Sequence, residues 1–278
     1  MKTRNIMNYF MSLAILGLLL VFSARPALAG PYIVGGFDGT RGGFESLAPG
    51  HNSALATKIT TNLPGTTFQF TDTLTDSFLN GVNVVVLGVG TTNSSAITPL
   101  TTNEQTALYN FVLNGGTALI FSDNSTFSAT APTVNASILS PFGVTAAGTI
   151  IADAPILDST GPLTGPFTPV NTFTTNYTGY YTNTGAGKVL AEFNNNPNEA
   201  AVDYFAPGSL GTHSGAVVLF SDSNAMIVGD SLSDTNLNLM LNALSLTGTA
   251  PPSVPEPATM LLLGIGLMGI AGIKRKLS

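Results

Sequence analysis

The sequence predicts an α/β fold, a single domain built on a mostly parallel sheet. Three observations point there. Val82–Leu87 (V-N-V-V-V-L), Thr117–Phe121 (T-A-L-I-F) and Ala216–Phe220 (A-V-V-L-F) are short, nearly unbroken apolar runs, the pattern of strands buried on both faces in a parallel sheet. Helical segments alternate with them, as in βα units. About 220 residues lie between the two chain ends described below, enough for one sizeable core and no obvious linker that divides it.

In chain order, Tyr32–Gly36 reads as the first strand. It runs into a Gly-rich stretch, residues 35–43, taken as a surface loop because it has neither Walker nor G-x-G-x-x-G spacing. Ser53–Thr61 is a weak helix, Thr66–Phe70 a strand and Val82–Leu87 a buried strand. The best helix follows. Thr101 and Glu104 form a T-x-x-E capping box, Ala107, Leu108, Phe111 and Val112 make an apolar stripe, and Gly115-Gly116 closes it. Thr117–Phe121 is entered directly from that helix. Val134–Leu139 is a short helix and Thr149–Ile151 a strand. Asp153–Thr184 reads as irregular, rich in Pro, Gly and Thr. Lys188–Phe193, Ala200–Phe205 and Ala216–Phe220 are strands, and Asn236–Leu246 is the last helix of the body.

Strand 82–87, a polar loop, the capped helix 101–116 (T-T-N-E-Q-T-A-L-Y-N-F-V-L-N-G-G) and strand 117–123 (T-A-L-I-F-S-D) together resemble the class I glutamine-amidotransferase-like fold, a flavodoxin-like α/β sandwich. The resemblance spans about half the body. It implies a nucleophile just after the second of those strands, where the family's enzymes carry Cys. Here Ser122-Asp123-Asn124 fills the turn, and no His-x-Glu pair follows. The resemblance therefore implies the fold without amide hydrolysis.

Both chain ends read as addresses. Lys2 and Arg4 form a positive n-region, Phe10–Phe22 is an apolar h-region, and Ala27-Leu28-Ala29 is an A-x-A cleavage site, so residues 1–29 read as a signal peptide and 30–249 as the exported domain. A linker, residues 250–254, leads to a tail at 255–278. Pro255-Glu256-Pro257 precedes an apolar run, Ala258–Ile273, about 24 Å long as a helix at ~1.5 Å per residue. Lys274, Arg275 and Lys276 then supply a cytoplasmic stop by the positive-inside rule. Gly264–Gly269 matches G-x-G-x-x-G, but no strand precedes it and no acid follows, so small residues in a membrane helix explain it better.

The three parts of the tail resemble the PEP-CTERM sorting signal of exported Gram-negative proteins. That resemblance implies an exosortase-type membrane protease as partner and export through the inner membrane. It further implies transient anchoring, then release to the envelope or the exterior in association with exopolysaccharide.

Composition narrows the function classes. Within residues 30–252 the basic side chains are Arg41, Lys58 and Lys188, against fourteen acidic ones, a balance of −11. Such a surface disfavours nucleic acid and anionic lipid. Without cysteine there is no disulfide, thiolate zinc site or Cys nucleophile, and with only His51 and His213 no multi-histidine metal centre. No cofactor or metal is expected.

The expected site follows from the fold, since ligands of open α/β sheets bind outside the carboxyl ends of strands. Asp38 follows the first strand. Ser122-Asp123-Asn124 and Ser221-Asp222-Ser223-Asn224 end two others, and these two turns echo each other about 100 residues apart. Asp38, Asp123, Asn124, Asp222 and Asn224 are therefore the candidate binding residues, for a sugar or a cation held through oxygens; turn stabilisation by Asp and Asn is the plainer account. A carbohydrate or ester hydrolase is the alternative function. It would need Ser122, His213 and Asp222 or Asp230 as a triad, against the plainer role of His213 as a loop residue. Tyr177, Tyr180 and Tyr181 could stack on sugar rings or simply pack a long loop. The favoured expectation is a non-catalytic exported protein.

Overall fold

The computed structural model describes residues 32–246, apart from 90, 93–94 and 159–161. The cleavage site at Ala27 and Ala29, the Pro255-Glu256-Pro257 element, the apolar run and Lys274–Lys276 lie outside the described residues. Among the described residues no helix is long and apolar enough to cross a membrane.

Nine strands form one sheet. Five are mutually parallel, in the order β2 (Thr67–Thr71), β1 (Ile33–Phe37), β3 (Val84–Gly88), β6 (Thr117–Phe121), β13 (Val217–Phe220). The sheet continues antiparallel through β12 (Ala200–Phe205), which pairs with β11 (Lys188–Glu192) and bridges to β10 (Thr178–Thr184), and ends at β7 (Val144–Ile150). Two small antiparallel pairs, β4 (Thr91–Thr92) with β5 (Ser95–Ala96) and β8 (Ala154–Pro155) with β9 (Thr172–Phe173), lie outside this sheet, the second beside β11.

The pleat explains why the central runs are apolar throughout. Val84 and Val86 face one side and Val85 and Leu87 the other; Leu119 and Phe121 alternate in the same way with Ala118 and Ile120. The first face packs on α2 (Ser53–Asn62), through Leu55 and Ile59, and on α6 (Asp234–Leu244), through Leu237, Leu241 and Leu244. The second packs on the short α3 (Asp76–Leu79), through Leu79, on α4 (Thr102–Leu113), through Leu108, Phe111 and Val112, and on α5 (Ala131–Leu139), through Val134 and Ile138. The result is a three-layer α/β/α sandwich.

Helix α4 forms as its sequence dictates: Thr101 Oγ1 accepts from the Glu104 N–H, and Glu104 Oε2 accepts from the Thr101 N–H at 2.9 Å. Gly115 at φ +98° ends the helix, and Gly116 lies flat against the Phe111 ring, which a Cβ would meet at 2.3 Å. The helix can therefore turn straight into β6 while its last aromatic stays on the sheet.

Three expectations need correction. Asp153–Thr184 is not irregular throughout, because Thr178–Thr184 is a full strand of the sheet; its Thr, Asn and Gly content concealed it. The strand expected at Thr149–Ile151 runs Val144–Ile150, with Gly148 at φ +67° inside it. The Gly-rich stretch is not a loose loop. Asp38 caps a short helix α1 (Gly39–Gly42), its Oδ1 accepting from Thr40 N at 2.9 Å and Arg41 N at 3.1 Å, and a 3-10 turn to Glu45 follows.

What remains irregular, between β8 and β10, is tied to α6 by two buried asparagines. Asn242 donates to the carbonyls of Leu163 and Phe167 and accepts from Phe167 N, while Asn236 accepts from Thr174 N and donates to Thr174 O. These side chains supply the hydrogen bonds that a buried loop lacks from a ladder.

Candidate functional site

The Gly-rich turn shows first what the chain does not offer. Strand order reverses between β1 and β3, the usual ligand crevice in such sheets. Here the turn after β1 folds back over that crevice, and the Glu45 side chain lies against Gly88, where a Cβ would come within 2.7 Å of it. What is left, between Gly36, Phe37, Glu45, Ser46, Val86 and Gly88, is about the size of one water molecule.

Arg41 is likewise committed. Its guanidinium pairs with Glu104, reaches Asp72 O at 2.7 Å and stacks on the Phe37 ring at 4.2 Å. Burial would raise the Glu104 carboxyl, but the guanidinium and the N–H groups of Thr101 and Leu74 outweigh it and hold the pKa at about 2. The turn is therefore a structural clasp. Asp38 is spent in its own turn, where the Thr40 hydroxyl leads the interactions that lower its pKa.

The two Ser-Asp turns do meet. Strands β6 and β13 are neighbours in register, Phe121 beside Phe220 with rings stacked at 4.5 Å, so the residues after them lie side by side. Ser223 Oγ donates to Asp123 Oδ2 at 2.6 Å and reaches Glu45 Oε1 at 3.3 Å. Asp222 accepts from Asn176 N through Oδ2 at 2.5 Å and from Asn224 N through Oδ1 at 2.8 Å. Asn124 Nδ2 donates to Tyr177 O at 2.6 Å, and Asn224 Nδ2 to Asn176 O at 3.3 Å. The segment Asn176–Thr178 is thus strapped across both strand ends, and the Thr178 hydroxyl adds a bond to Ser221 O at 2.8 Å.

Asp123, Asn124, Asp222 and Asn224 come together as the frame beneath this strap. Asp38 has no part in it. Sequence reasoning did not find Glu45, Asn176 or Asn135. Asn135 clamps the Asp123 backbone, accepting from its N–H at 3.2 Å and donating to its carbonyl at 2.7 Å. Its place on the buried side of α5 was the available signal.

Burial sets the electrostatics. It raises Asp123 to about 6 against the bonds from Ser223 and Asn124. Burial, with the charge of Asp123 beside it, pushes Asp222 well up, and Asp230 adds to this. The charge on Asp123 opposes ionisation of Asp222, so the pair disfavours double ionisation. Among the described residues no group of three or more His, Cys, Asp or Glu side chains is arranged to hold a metal ion.

The triad geometry is absent. Ser122 is fully buried and bonded to Tyr181 Oη at 3.0 Å and Phe220 O at 3.3 Å. His213 lies at the other end of the sheet, its carbonyl beside Gly115 before β6 begins. Of the three tyrosines, Tyr181 is buried, Tyr180 covers Gly148, and Tyr177 alone is exposed.

Comparison with known proteins gives two findings. Residues 253–276 match the PEP-CTERM protein-sorting motif, which implies an exported protein recognised by exosortase, a membrane protein. A search of the curated proteins returns no match. Among solved structures, the mmIFT52 N-terminal domain aligns over 76% of this chain and 94% of its own at 10% identity, TM-score 0.53. ThuA-like proteins align as well: from Parabacteroides merdae (82% and 94% of the chains, 10% identity, TM-score 0.49) and from Bacteroides uniformis (80% and 93%, 13%, 0.48). At these identities the likeness is one of fold alone, a single mixed α/β domain.

Proposed function

We propose that the chain is a non-catalytic exported protein of the cell envelope or extracellular matrix, delivered by an exosortase-type system and associated with exopolysaccharide. The sorting motif at 253–276 carries the reading. The body supports it through what its polar strand ends are used for. Ser122, at the position where the amidotransferase-like resemblance implies a nucleophile, is sealed under Tyr181, and Asp123 and Asp222 hold a strap rather than line an open cleft. In this reading Asp123, Asn124, Asp222 and Asn224 shape the binding surface from below, and Asp38 stabilises the neighbouring turn.

On this proposal the precursor crosses the inner membrane, pauses with Ala258–Ile273 in the bilayer and Lys274–Lys276 inside, and is cut near Pro255-Glu256-Pro257. Intact-mass measurement with cell fractionation tests it in cells that carry an exosortase. The mature protein should lack residues 258–278 and fractionate with envelope or matrix, and Glu256→Ala or deletion of residues 274–276 should leave precursor in the membrane. A wild-type mature protein that retains Ile273 in such cells would overturn it.

A further inference from the structure

The strap presents one aromatic ring. Tyr177 has φ +55°, a conformation that bulky residues rarely adopt, and its side chain is 56% exposed. The ring contributes little to the core, so packing does not explain why a tyrosine stands there. What holds the residue in place is the frame beneath: Asn124 receives its carbonyl, and Asp222 and Asn224 grip the N–H and carbonyl of Asn176 before it. A strained position fixed from several sides by buried groups marks a site where geometry matters more than local stability.

The surroundings define a ligand. Asn176, the preceding residue of the strap, donates from Nδ2 to Asp230 Oδ1 at 2.9 Å, and Asp230 is exposed. Asn124, which holds the Tyr177 carbonyl, accepts through Oδ1 from Thr126 Oγ1 at 2.9 Å, and Thr126 Oγ1 lies 2.9 Å from the Thr149 hydroxyl; both threonines are exposed. An exposed aromatic ring on a strap whose bonded neighbours carry exposed carboxylate and hydroxyl groups suits a sugar ring, whose C–H face stacks while its hydroxyls bond to polar groups nearby.

Charge disfavours an anionic ligand. Arg41 pairs with Glu104 and Lys188 with Asp158, Lys58 belongs to α2, and Asp123, Asp222 and Asp230 lie under or beside the strap.

We propose that Tyr177 is the stacking platform of a binding site for neutral sugar rings of a polysaccharide, with Asn176, Asp230, Thr126 and Thr149 as its polar rim. This rests on the envelope and exopolysaccharide reading above and names the ligand class and the residue that reads it. Tyr177→Gly is the informative variant, because glycine accepts φ +55° without strain while removing the ring.

The test is affinity electrophoresis of the released protein in native gels holding dextran, hydroxyethylcellulose or galactomannan, with alginate as the anionic control. Wild type and Tyr177→Phe should be retarded in at least one neutral gel and not in alginate. Tyr177→Gly should bind at least tenfold more weakly there, with a melting temperature equal to or above that of wild type. Binding of Tyr177→Gly within twofold of wild type, retardation of wild type in alginate alone, or no retardation in any neutral gel would overturn the inference. A Tyr177→Gly protein that melts well below wild type would show that the ring is structural, and overturns it too. Fractionation separates the two levels: wild type found in the matrix yet blind to neutral glycans sinks the sugar site alone. Wild type that binds neutral glycans but is absent from envelope and matrix sinks the envelope reading.

Discussion

Asn124 and Asn224, one hundred residues apart in sequence, each donate a side-chain amide hydrogen to a carbonyl of the same dipeptide, Tyr177 O at 2.6 Å and Asn176 O at 3.3 Å. The repeated Ser-Asp turn is therefore a two-handed grip on one short segment. Removing the shorter bond by Asn124→Ala leaves a partly buried carbonyl unpaired and should cost about 1–3 kcal/mol. Amide exchange of Thr178 and Gly179 should speed up more than that of β6 itself. Unchanged exchange at the strap would show that the grip is incidental.

The buried carboxylates set an unusual pH profile. Asp123 at about 6 and Asp203 at about 7 lie above the usual 3.8, raised by burial, and Asp222 shifts the same way. Between roughly pH 4 and 7 the folded chain thus binds protons that the unfolded chain has released, so stability rises as pH falls through that window. Glu104 opposes this below about pH 4.5, because its folded value near 2 means that its contribution is lost on further acidification. The melting temperature, followed by circular dichroism from pH 3 to 9, should peak near pH 4–5. A melting temperature that stays level or climbs between pH 5 and 7 would contradict these assignments.

Asp203 isolates one part of that profile. It is fully buried on β12, its Oδ1 accepts only from its neighbour Tyr204 N at 3.0 Å, and its Oδ2 has no partner. One pKa unit corresponds to about 1.4 kcal/mol, so Asp203→Asn should stabilise the protein by a few kcal/mol at pH 8. It should change little at pH 4.5, where the carboxyl is already neutral. Equal effects at both pH values would point to packing instead.

Glu104 ties three elements together: its carboxylate serves Arg41, the N–H of Leu74 and the cap residue Thr101. Glu104→Ala would strand the Arg41 guanidinium and should cost about 3–5 kcal/mol, read from urea unfolding. Arg41→Lys keeps the charge without the fork and should recover only part of that.

Leu108 and Phe111 are buried between α4 and the sheet. Leu108→Asp should abolish the cooperative transition, since an unpaired buried charge costs several kcal/mol. A cooperative melt in that variant would mean that the helix can leave the sheet without loss of the fold.

The parts of the fold that were legible in sequence are those whose signal is local. The Thr101–Glu104 box, the Gly115-Gly116 stop and the apolar runs of β3, β6 and β13 each carry their own evidence within a dozen residues. Strand β10 was hidden because its pattern, T-G-Y-Y-T-N-T, becomes a strand only when β7 and β12 supply partners. The site divides in the same way. The paired Ser-Asp turns stood out as an echo, yet nothing in them reveals that β6 and β13 are adjacent or that residues 176–178 lie across both. Buried asparagines such as Asn236 and Asn242 carry no local signal of burial, because their partners are backbone atoms some 60 to 80 residues away along the chain.

Strand β13 joins the parallel and antiparallel halves of the sheet, and among the described residues it is also the last strand to be synthesised. Until residues 217–220 arrive, β6 and β12 are raw edges that cannot pair with each other across the missing strand. In an exported chain emerging amino terminus first, the central sheet therefore closes only after residues 217–220 have crossed, and the pairings on both sides of β13 form late.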